Sequence, residues 1–243
     1  MYGFAMLAVA IVVLSLLRIL GCAHSSFAED TSSTSNSGEL SAVSDLTAPS
    51  QSRIPVSSDV YLSQIQGIHQ YSIGLSAGCE IVSLSIILNC MGVDIEANTI
   101  VDTYLEYGND YHTAYKGDPY TSGGTFPPAV VTAGNAVLED CAREECVYDL
   151  TGFSFDELLS VIDDGYPVGV WTTLYFTAPD FEQDIFGNYS DWYYIEHCVV
   201  MYGYDSDLGL VYLCDPAQDS VTLDLEYFRS LYYDCGSMAL AIW

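Results

Sequence analysis

Residues 78–90 read Gly-Cys-Glu-Ile-Val-Ser-Leu-Ser-Ile-Ile-Leu-Asn-Cys. Apolar side chains lie all round a helix of this sequence, which is typical of a helix buried at the centre of a domain. The run predicts a helix that begins at Cys79 and ends near Gly92. Cys79 then occupies the first turn, where the positive end of the helix dipole favours the thiolate over the thiol.

The rest of the chain places helices first and strands second. Helices are predicted over residues 97–107 and 128–139 and after Ser154, which forms a capping box with Glu157. Residues 116–128 are predicted to be a loop. Strands are predicted over residues 59–64, 167–173, 197–204, 210–214 and 238–243, with 197–204 and 210–214 paired as a hairpin. This order predicts an α+β domain with an N-terminal helical part, the Cys79 helix at its centre and a C-terminal antiparallel sheet.

One His and one Asp follow Cys79 in the order that a cysteine hydrolase requires. His197 starts an apolar strand, and Asp215 ends the strand predicted to pair with it. An imidazole in reach of a thiol can take its proton, and a carboxylate can hold that imidazole in the required tautomer. The backbone N–H at the helix start supplies half of an oxyanion hole, and a glutamine amide upstream can supply the rest. Gln70 and Gln64 both qualify, with Gln70 slightly favoured.

Several aromatic residues near His197 are candidates for lining a substrate cleft, although ordinary core packing is the favoured explanation for them. They are Trp171, Trp192, Tyr193 and Tyr194.

The N-terminal part of the chain predicts export. Residues 4–17 contain no charged residue, and this run is short for a membrane span, so residues 1–28 are interpreted as a signal peptide or a membrane or lipoprotein anchor. Residues 19–22 resemble a bacterial lipobox in which Cys22 would be acylated. Residues 29–52 have the composition of a disordered Ser/Thr-rich linker, and residues 53–243 form the folded domain. We therefore expect an extracellular or cell-surface bacterial protein, with or without a lipid anchor.

The charge balance excludes some partners. Five Lys and Arg face 33 Asp and Glu, a formal net charge of −28, so nucleic acid is not expected as a partner. Membrane attachment is expected only through the N-terminal segment or a lipidated Cys22. Among eight cysteines, Cys141 and Cys146 are the most plausible local disulfide pair. No metal-binding spacing of Cys and His is present, so neither a metal nor a cofactor is expected.

Seven separated segments together resemble the papain-like cysteine peptidases, and within them the bacteriocin-processing, double-glycine peptidase-like family (C-thirty-nine-like). The segments are 78–84, 116–119, 125–130, 150–152, 165–171, 196–205 and 215–216. The resemblance implies a papain-like fold with Cys79 as nucleophile, His197 as base and acid, and Asp215 as the residue that orients the imidazole. It also implies a glutamine shortly before the cysteine in the oxyanion hole.

These observations predict a secreted or surface-anchored thiol hydrolase, monomeric, that cleaves peptide bonds of a peptide or protein substrate through a thioester. Two alternatives stay open. The same triad could serve a peptidoglycan amidase or peptidase, or a thiol acyltransferase. A non-catalytic surface binding module could also keep the fold without the chemistry.

Overall fold

The computed structural model describes residues 59–179 and 195–243, which lie within the compact unit Ser57–Trp243. The predicted export segment (1–28, with Cys22), the predicted linker (29–52) and the aromatic residues 192–194 lie outside the described residues.

The described helices follow the predicted order, with one more at the end. They are α1 (Cys79–Cys90), α2 (Ala97–Thr103), α3 (Pro127–Asp140), α4 (Phe155–Asp163) and α5 (Leu225–Asp234), with 3₁₀ turns at Gln70–Ile73 and Leu174–Phe176. The strands are β1 (Asp59–Tyr61), β2 (Lys116–Asp118), β3 (Ser122–Gly124), β4 (Val147–Asp149), β5 (Val168–Thr173), β6 (Glu196–Asp205), β7 (Leu210–Asp215), β8 (Asp219–Asp224) and β9 (Ala239–Ile242).

The main sheet has the order β4-β9-β5-β6-β7-β8, and the paired neighbours are antiparallel. β5 pairs with β6 from Glu196 to Met201, and β1 continues the same edge from Gly203 to Asp205. β6 and β7 form the predicted hairpin. The predicted α+β architecture with helices before an antiparallel sheet is therefore confirmed.

Helix α1 is the centre of the core. Residues 79–88 are all buried, as its apolar sequence predicts, and the helix packs against β5 and β6. Its polar side chains have partners, which burial requires. Ser83 Oγ donates to the Cys198 carbonyl (3.0 Å), and Ser85 Oγ donates to the Ile95 carbonyl (2.7 Å). These bonds fix both the depth and the rotation of the helix.

Three predicted segments differ from the structure. The strand predicted over residues 59–64 ends at Tyr61. Helix α2 ends at Thr103 instead of residue 107, because the backbone of residues 106–108 bonds to Tyr115. The predicted loop 116–128 contains the small hairpin β2–β3 and the first residues of α3. Gly117 makes that hairpin feasible: its φ is +104°, and a Cβ there would collide with the Ser122 carbonyl.

Besides β2 and β3, three elements of the described residues were not predicted: β4, β8 and α5. The predicted Cys141–Cys146 disulfide is wrong, because Cys141 is an exposed free thiol. Cys198 and Cys214 are buried free thiols, as expected of cysteines in apolar strands.

None of the helices within residues 59–179 and 195–243 combines the length and apolar character that crossing a bilayer requires.

The capping box of α4 gives a test of local stability. Ser154 Oγ accepts from Glu157 N–H, and the Glu157 carboxylate accepts from Ser154 N–H (2.7 Å). Ser154→Ala is expected to lower the free energy of unfolding by about 1 kcal/mol, because it leaves a helix N-terminal donor unpaired. Urea unfolding measures this change.

Ser160→Ala in the same helix is the matched control. Its hydroxyl bonds only to the Asp156 carbonyl of the preceding turn, so its loss should change the stability by less than about 0.5 kcal/mol. Equal losses in the two variants would contradict a specific role for the cap.

Candidate functional site

The loop before α1 holds Cys79 in place. Gln70 N–H donates to the Pro216 carbonyl (2.8 Å), and Ala77 N–H donates to the Pro119 carbonyl (2.9 Å). The Tyr115 hydroxyl also donates to the Ala77 carbonyl. Gly78 is the residue before the helix, and Cys79 is its first residue. Because these anchors come from three parts of the chain, the helix start is fixed from several sides.

His197 and Asp215 meet across the β6–β7 hairpin. His197 Nε2 lies 2.6 Å from Asp215 Oδ1, and both side chains are almost fully buried. The carboxylate also accepts from the Ala217 N–H (2.7 Å) and from the Gln218 amide (2.9 Å). With the proton on Nε2, the other ring nitrogen, Nδ1, is left as the acceptor. The contact expected from the hairpin is therefore present.

Opposing effects act on the Asp215 carboxyl. Burial raises its pKa, but the hydrogen bond and charge of His197, with the Ala217 and Gln218 donors, outweigh burial and leave the pKa below its ordinary value. Asp215 is therefore an anion at neutral pH, which is the state that holds an imidazole in one tautomer.

The thiol of Cys79 lies beside the strand that carries His197. Helix α1 bonds to Cys198 through Ser83, and a backbone hydrogen bond from Cys198 also acts on the Cys79 sulfur. Side chains alternate along a strand, so Glu196 and Cys198 share one face and His197 belongs to the other. Among the described residues, the Cys79 sulfur donates to Glu80 Oε2 (3.3 Å) and His197 bonds to Asp215. Cys79 is thus adjacent to the His197 segment, with its S–H directed to Glu80.

The thiolate predicted from the helix dipole is not the resting state in this structure. Burial raises the pKa of the Cys79 thiol well above its usual value, and the charges of Glu80 and Glu196 raise it further. The Cys198 backbone hydrogen bond lowers it only in part. The side chain is 6% exposed, so desolvation of an anion there is costly.

The two candidate glutamines lie at opposite ends of α1. Gln70 is buried in the loop before Cys79, where its Nε2 donates to the Ser76 carbonyl (3.1 Å) and its Oε1 has no hydrogen-bond partner among the described residues. Gln64 is exposed, and it interacts with Cys90 in the last turn of the helix. A helix of 12 residues is about 17 Å long at about 1.5 Å per residue, so Gln64 lies far from Cys79.

Trp171 is fully buried and does not line an open cleft. Its indole N–H donates to the Thr125 carbonyl (2.9 Å), and the Thr125 N–H donates to Glu80 Oε1 (2.7 Å). Trp171 therefore supports Glu80 through Thr125.

Two acidic residues at the site were not predicted from the sequence. One ligand atom each from Cys79, Glu80 and Glu196 lies within 4.8 Å of the others, which is also a spacing that could hold a metal ion. Their sequence positions carried a signal: Glu80 follows the cysteine in an otherwise apolar helix, and Glu196 precedes the histidine of a buried strand. In a chain with 33 acidic residues, that signal is easily missed.

Comparison with known proteins agrees with this architecture. Residues 60–239 match the Peptidase_C39 like family. The chain is 29% identical over 180 residues to the uncharacterized protein YvpB of Bacillus subtilis, covering 68% of each chain. It is similar, with a TM-score of 0.66 and 27% identity, to the crystal structure of a provisionally assigned C39-like peptidase of Bacillus anthracis, covering 76% of this chain and 97% of that one. The fold is therefore the predicted papain-like fold. The chain belongs to the Peptidase_C39 like family, and this membership makes it a cysteine peptidase at family level.

Proposed function

We propose that the protein is a thiol hydrolase that cleaves amide bonds of a peptide or protein through Cys79, His197 and Asp215. The observation that carries the proposal is the buried 2.6 Å contact of His197 with the Asp215 carboxylate, on the strand against which the start of α1 packs. A buried imidazole held by an anion is the arrangement that general acid–base catalysis needs.

The reaction begins with proton transfer from Cys79 Sγ to His197 Nδ1, the nitrogen that Asp215 leaves as acceptor. The thiolate attacks the substrate carbonyl and forms a tetrahedral oxyanion. His197 then gives its proton to the leaving amine, which departs from a thioester, and activates a water that hydrolyses the thioester. This cycle requires the Cys79 S–H to leave Glu80. It also requires the His197 ring, which strand alternation places on the other face of β6 from Glu196 and Cys198, to come within reach of the sulfur. Catalytic contacts commonly tighten only when substrate binds.

The oxyanion is assigned to the Cys79 backbone N–H and to Gln70. Support comes from the position of Gln70 in the loop before α1, tied through its own N–H to Pro216, the neighbour of Asp215. This bond couples the oxyanion donor to the residue that orients the base.

We also propose export, with the mature protein free or attached through its N-terminal segment. This rests on the uncharged run 4–17 and on Cys22. An intact-mass measurement of the mature N-terminus from a bacterial host distinguishes cleavage, acylation and retention of the segment.

Cys79→Ala is expected to abolish hydrolysis, because it removes the sulfur that would form the thioester, while the thermal unfolding temperature stays close to that of the parent. Cleavage of a peptide library, followed by mass spectrometry, measures the activity. Cys141→Ala is the control, since this exposed thiol lies outside the site and its loss should leave cleavage unchanged.

Retained cleavage by Cys79→Ala would end the proposal. A parallel digest of purified cell wall separates the peptidoglycan alternative, because a cell-wall enzyme would release muropeptides and leave the library intact.

His197→Ala is expected to reduce kcat by about 10²–10⁴-fold, because both proton transfers depend on this ring. Single-turnover kinetics on the best library peptide measure the loss. A change in KM alone, with kcat unaltered, would show that His197 only binds substrate.

Asp215→Asn gives a pH test of the buried pair. The folded-state pKa of Asp215 is lowered, so its stabilising contribution is present above the unfolded pKa of about 3.9 and is lost as the pH falls through the folded pKa. The parent should exceed Asp215→Asn in stability near neutral pH, and the gap should narrow as the pH falls from about 5 toward 2. Denaturant unfolding at several pH values checks this, and a gap that widens in acid would contradict an ionised Asp215.

A further inference from the structure

Two carboxyl groups that the proposed triad does not use lie against its nucleophile. The Cys79 S–H donates to Glu80 Oε2 at 3.3 Å, and a Glu196 oxygen lies within 4.8 Å of both groups. Glu80 is fully buried in the first turn of α1. Glu196 begins β6, directly before His197. Acidic side chains at such positions need a physical reason, because burial of a carboxylate is costly.

The hydrogen bonds of Glu80 favour its ionised form over that of Glu196. Its Oε1 accepts the Thr125 N–H (2.7 Å) and its Oε2 accepts the Cys79 S–H. Thr125 is itself immobilised: its carbonyl accepts the Trp171 indole N–H, and its hydroxyl donates to the Ala114 carbonyl (3.1 Å). Donors directed at both oxygens favour the charged form of a carboxyl.

The surroundings of Glu196 favour its protonated, neutral form. Its Oε1 is buried and has no hydrogen-bond partner among the described residues. Gly124 lies against both carboxyls: a Cβ there would be 3.0 Å from Glu196 Oε2 and 3.3 Å from Glu80 Oε1. Two buried like charges this close cannot both ionise at neutral pH. Burial raises the pKa of Glu80 to about 7 and that of Glu196 well above its ordinary value, and the charge of Glu80 raises the pKa of Glu196 further, so Glu80 is the first of the two to ionise.

The other titratable groups around the pair do not supply a compensating charge. Cys198 on β6, Cys235 after α5 and Tyr115 before β2 all have raised pKa values and are neutral at neutral pH. Tyr71, in the 3₁₀ turn near Cys79, also has a raised pKa and is neutral. Lys116 lies over the ring of Tyr111, a residue that also approaches Gly124, and His197 is turned to Asp215.

We propose that Glu80 is a positioning residue for Cys79 and accepts its S–H in the resting enzyme. Glu196 keeps its own proton, so Glu80 is the single anion of the pair. Cys79 is thereby held as a neutral thiol until its proton passes from Sγ to His197 Nδ1. Only that last transfer rests on the proposed function.

The test is the rate at which iodoacetamide alkylates Cys79 in the full chain, resolved by mass spectrometry of the Cys79 peptide from pH 6 to 9. Glu80→Gln keeps an acceptor for Thr125 and removes the charge beside the sulfur. It should speed alkylation by about tenfold or more at each pH in this range, which is equivalent to a shift of the rate–pH profile by about one unit or more toward lower pH. An unchanged or slower rate would overturn the proposal.

Glu196→Gln imitates the protonated carboxyl and should leave the alkylation rate within about twofold of the parent, because it removes no charge. A change as large as that of Glu80→Gln would show that the proton is not on Glu196. Asp205→Asn is the matched control, since it removes a buried carboxylate at the other end of β6, and its rate should equal that of the parent.

A second measurement holds even if Glu80→Gln fails to fold. A neutral Glu196 in the folded state carries a proton that the unfolded chain lacks above a pKa of about 4.3, so stability falls as the pH rises from 5 to 8. Glu196→Gln should flatten this slope by about one proton per molecule. Equal slopes in parent and variant would overturn the neutral Glu196.

These outcomes are independent of hydrolysis. The acceleration by Glu80→Gln should persist in a His197→Ala background, because it results from removal of a charge. Absence of peptide cleavage by the parent would therefore contradict only the proposed function. An alkylation profile that Glu80→Gln leaves unaltered would contradict the positioning role of Glu80.

Discussion

The burial of α1 on all sides is the constraint on which the rest of the structure depends. A helix in this position can carry only polar groups that find partners, and Ser83, Ser85 and Glu80 each do so. The Ser83 bond to the Cys198 carbonyl sets the helix against β6 one turn after Cys79. The same packing that excludes water from the core therefore brings Cys79 to the strand segment 196–198. Fold and site share one interface, and a shift of the helix would disturb both.

Electrostatic magnitudes explain why the thiol is neutral in spite of its place at a helix start. The helix dipole contributes about 0.3–1 kcal/mol, and up to about 2 kcal/mol in partly buried geometries. A unit charge about 4 Å away costs an anion up to about 4 kcal/mol at an effective dielectric constant of about 20. Glu80 alone can therefore outweigh the dipole, and desolvation adds to it. Only the dipole can be predicted from the sequence, because the depth of Cys79 and the direction of Glu80 are tertiary properties.

The parts of the structure that could be predicted from the sequence are those with strong local patterns. The apolar run of α1, the Ser154 cap and the β6–β7 hairpin each carry a short-range signal, and each is present in the structure. Strand β8 is an edge strand in which the half-buried Val221 and Leu223 alternate with exposed Ser, Thr and Asp, but it was not predicted because only two apolar residues mark its inner face. The meeting of His197 and Asp215 follows from hairpin pairing, which is why it could be anticipated. The choice between Gln70 and Gln64 could not, because only the chain path around α1 places them at opposite ends of the helix.

If Cys79 and His197 act together as proposed, the change of S–H partner from Glu80 to His197 is itself small in free energy. Turning the S–H is a rotation of one side-chain bond between staggered positions. Exchanging one hydrogen bond for another alters the free energy by only about 1 kcal/mol. The main cost lies in separating charge near Glu80, and the imidazolium of His197, held by Asp215, offsets part of it when the proton moves. The arrangement thus keeps the thiolate rare while the site is at rest, when alkylation and oxidation would inactivate it.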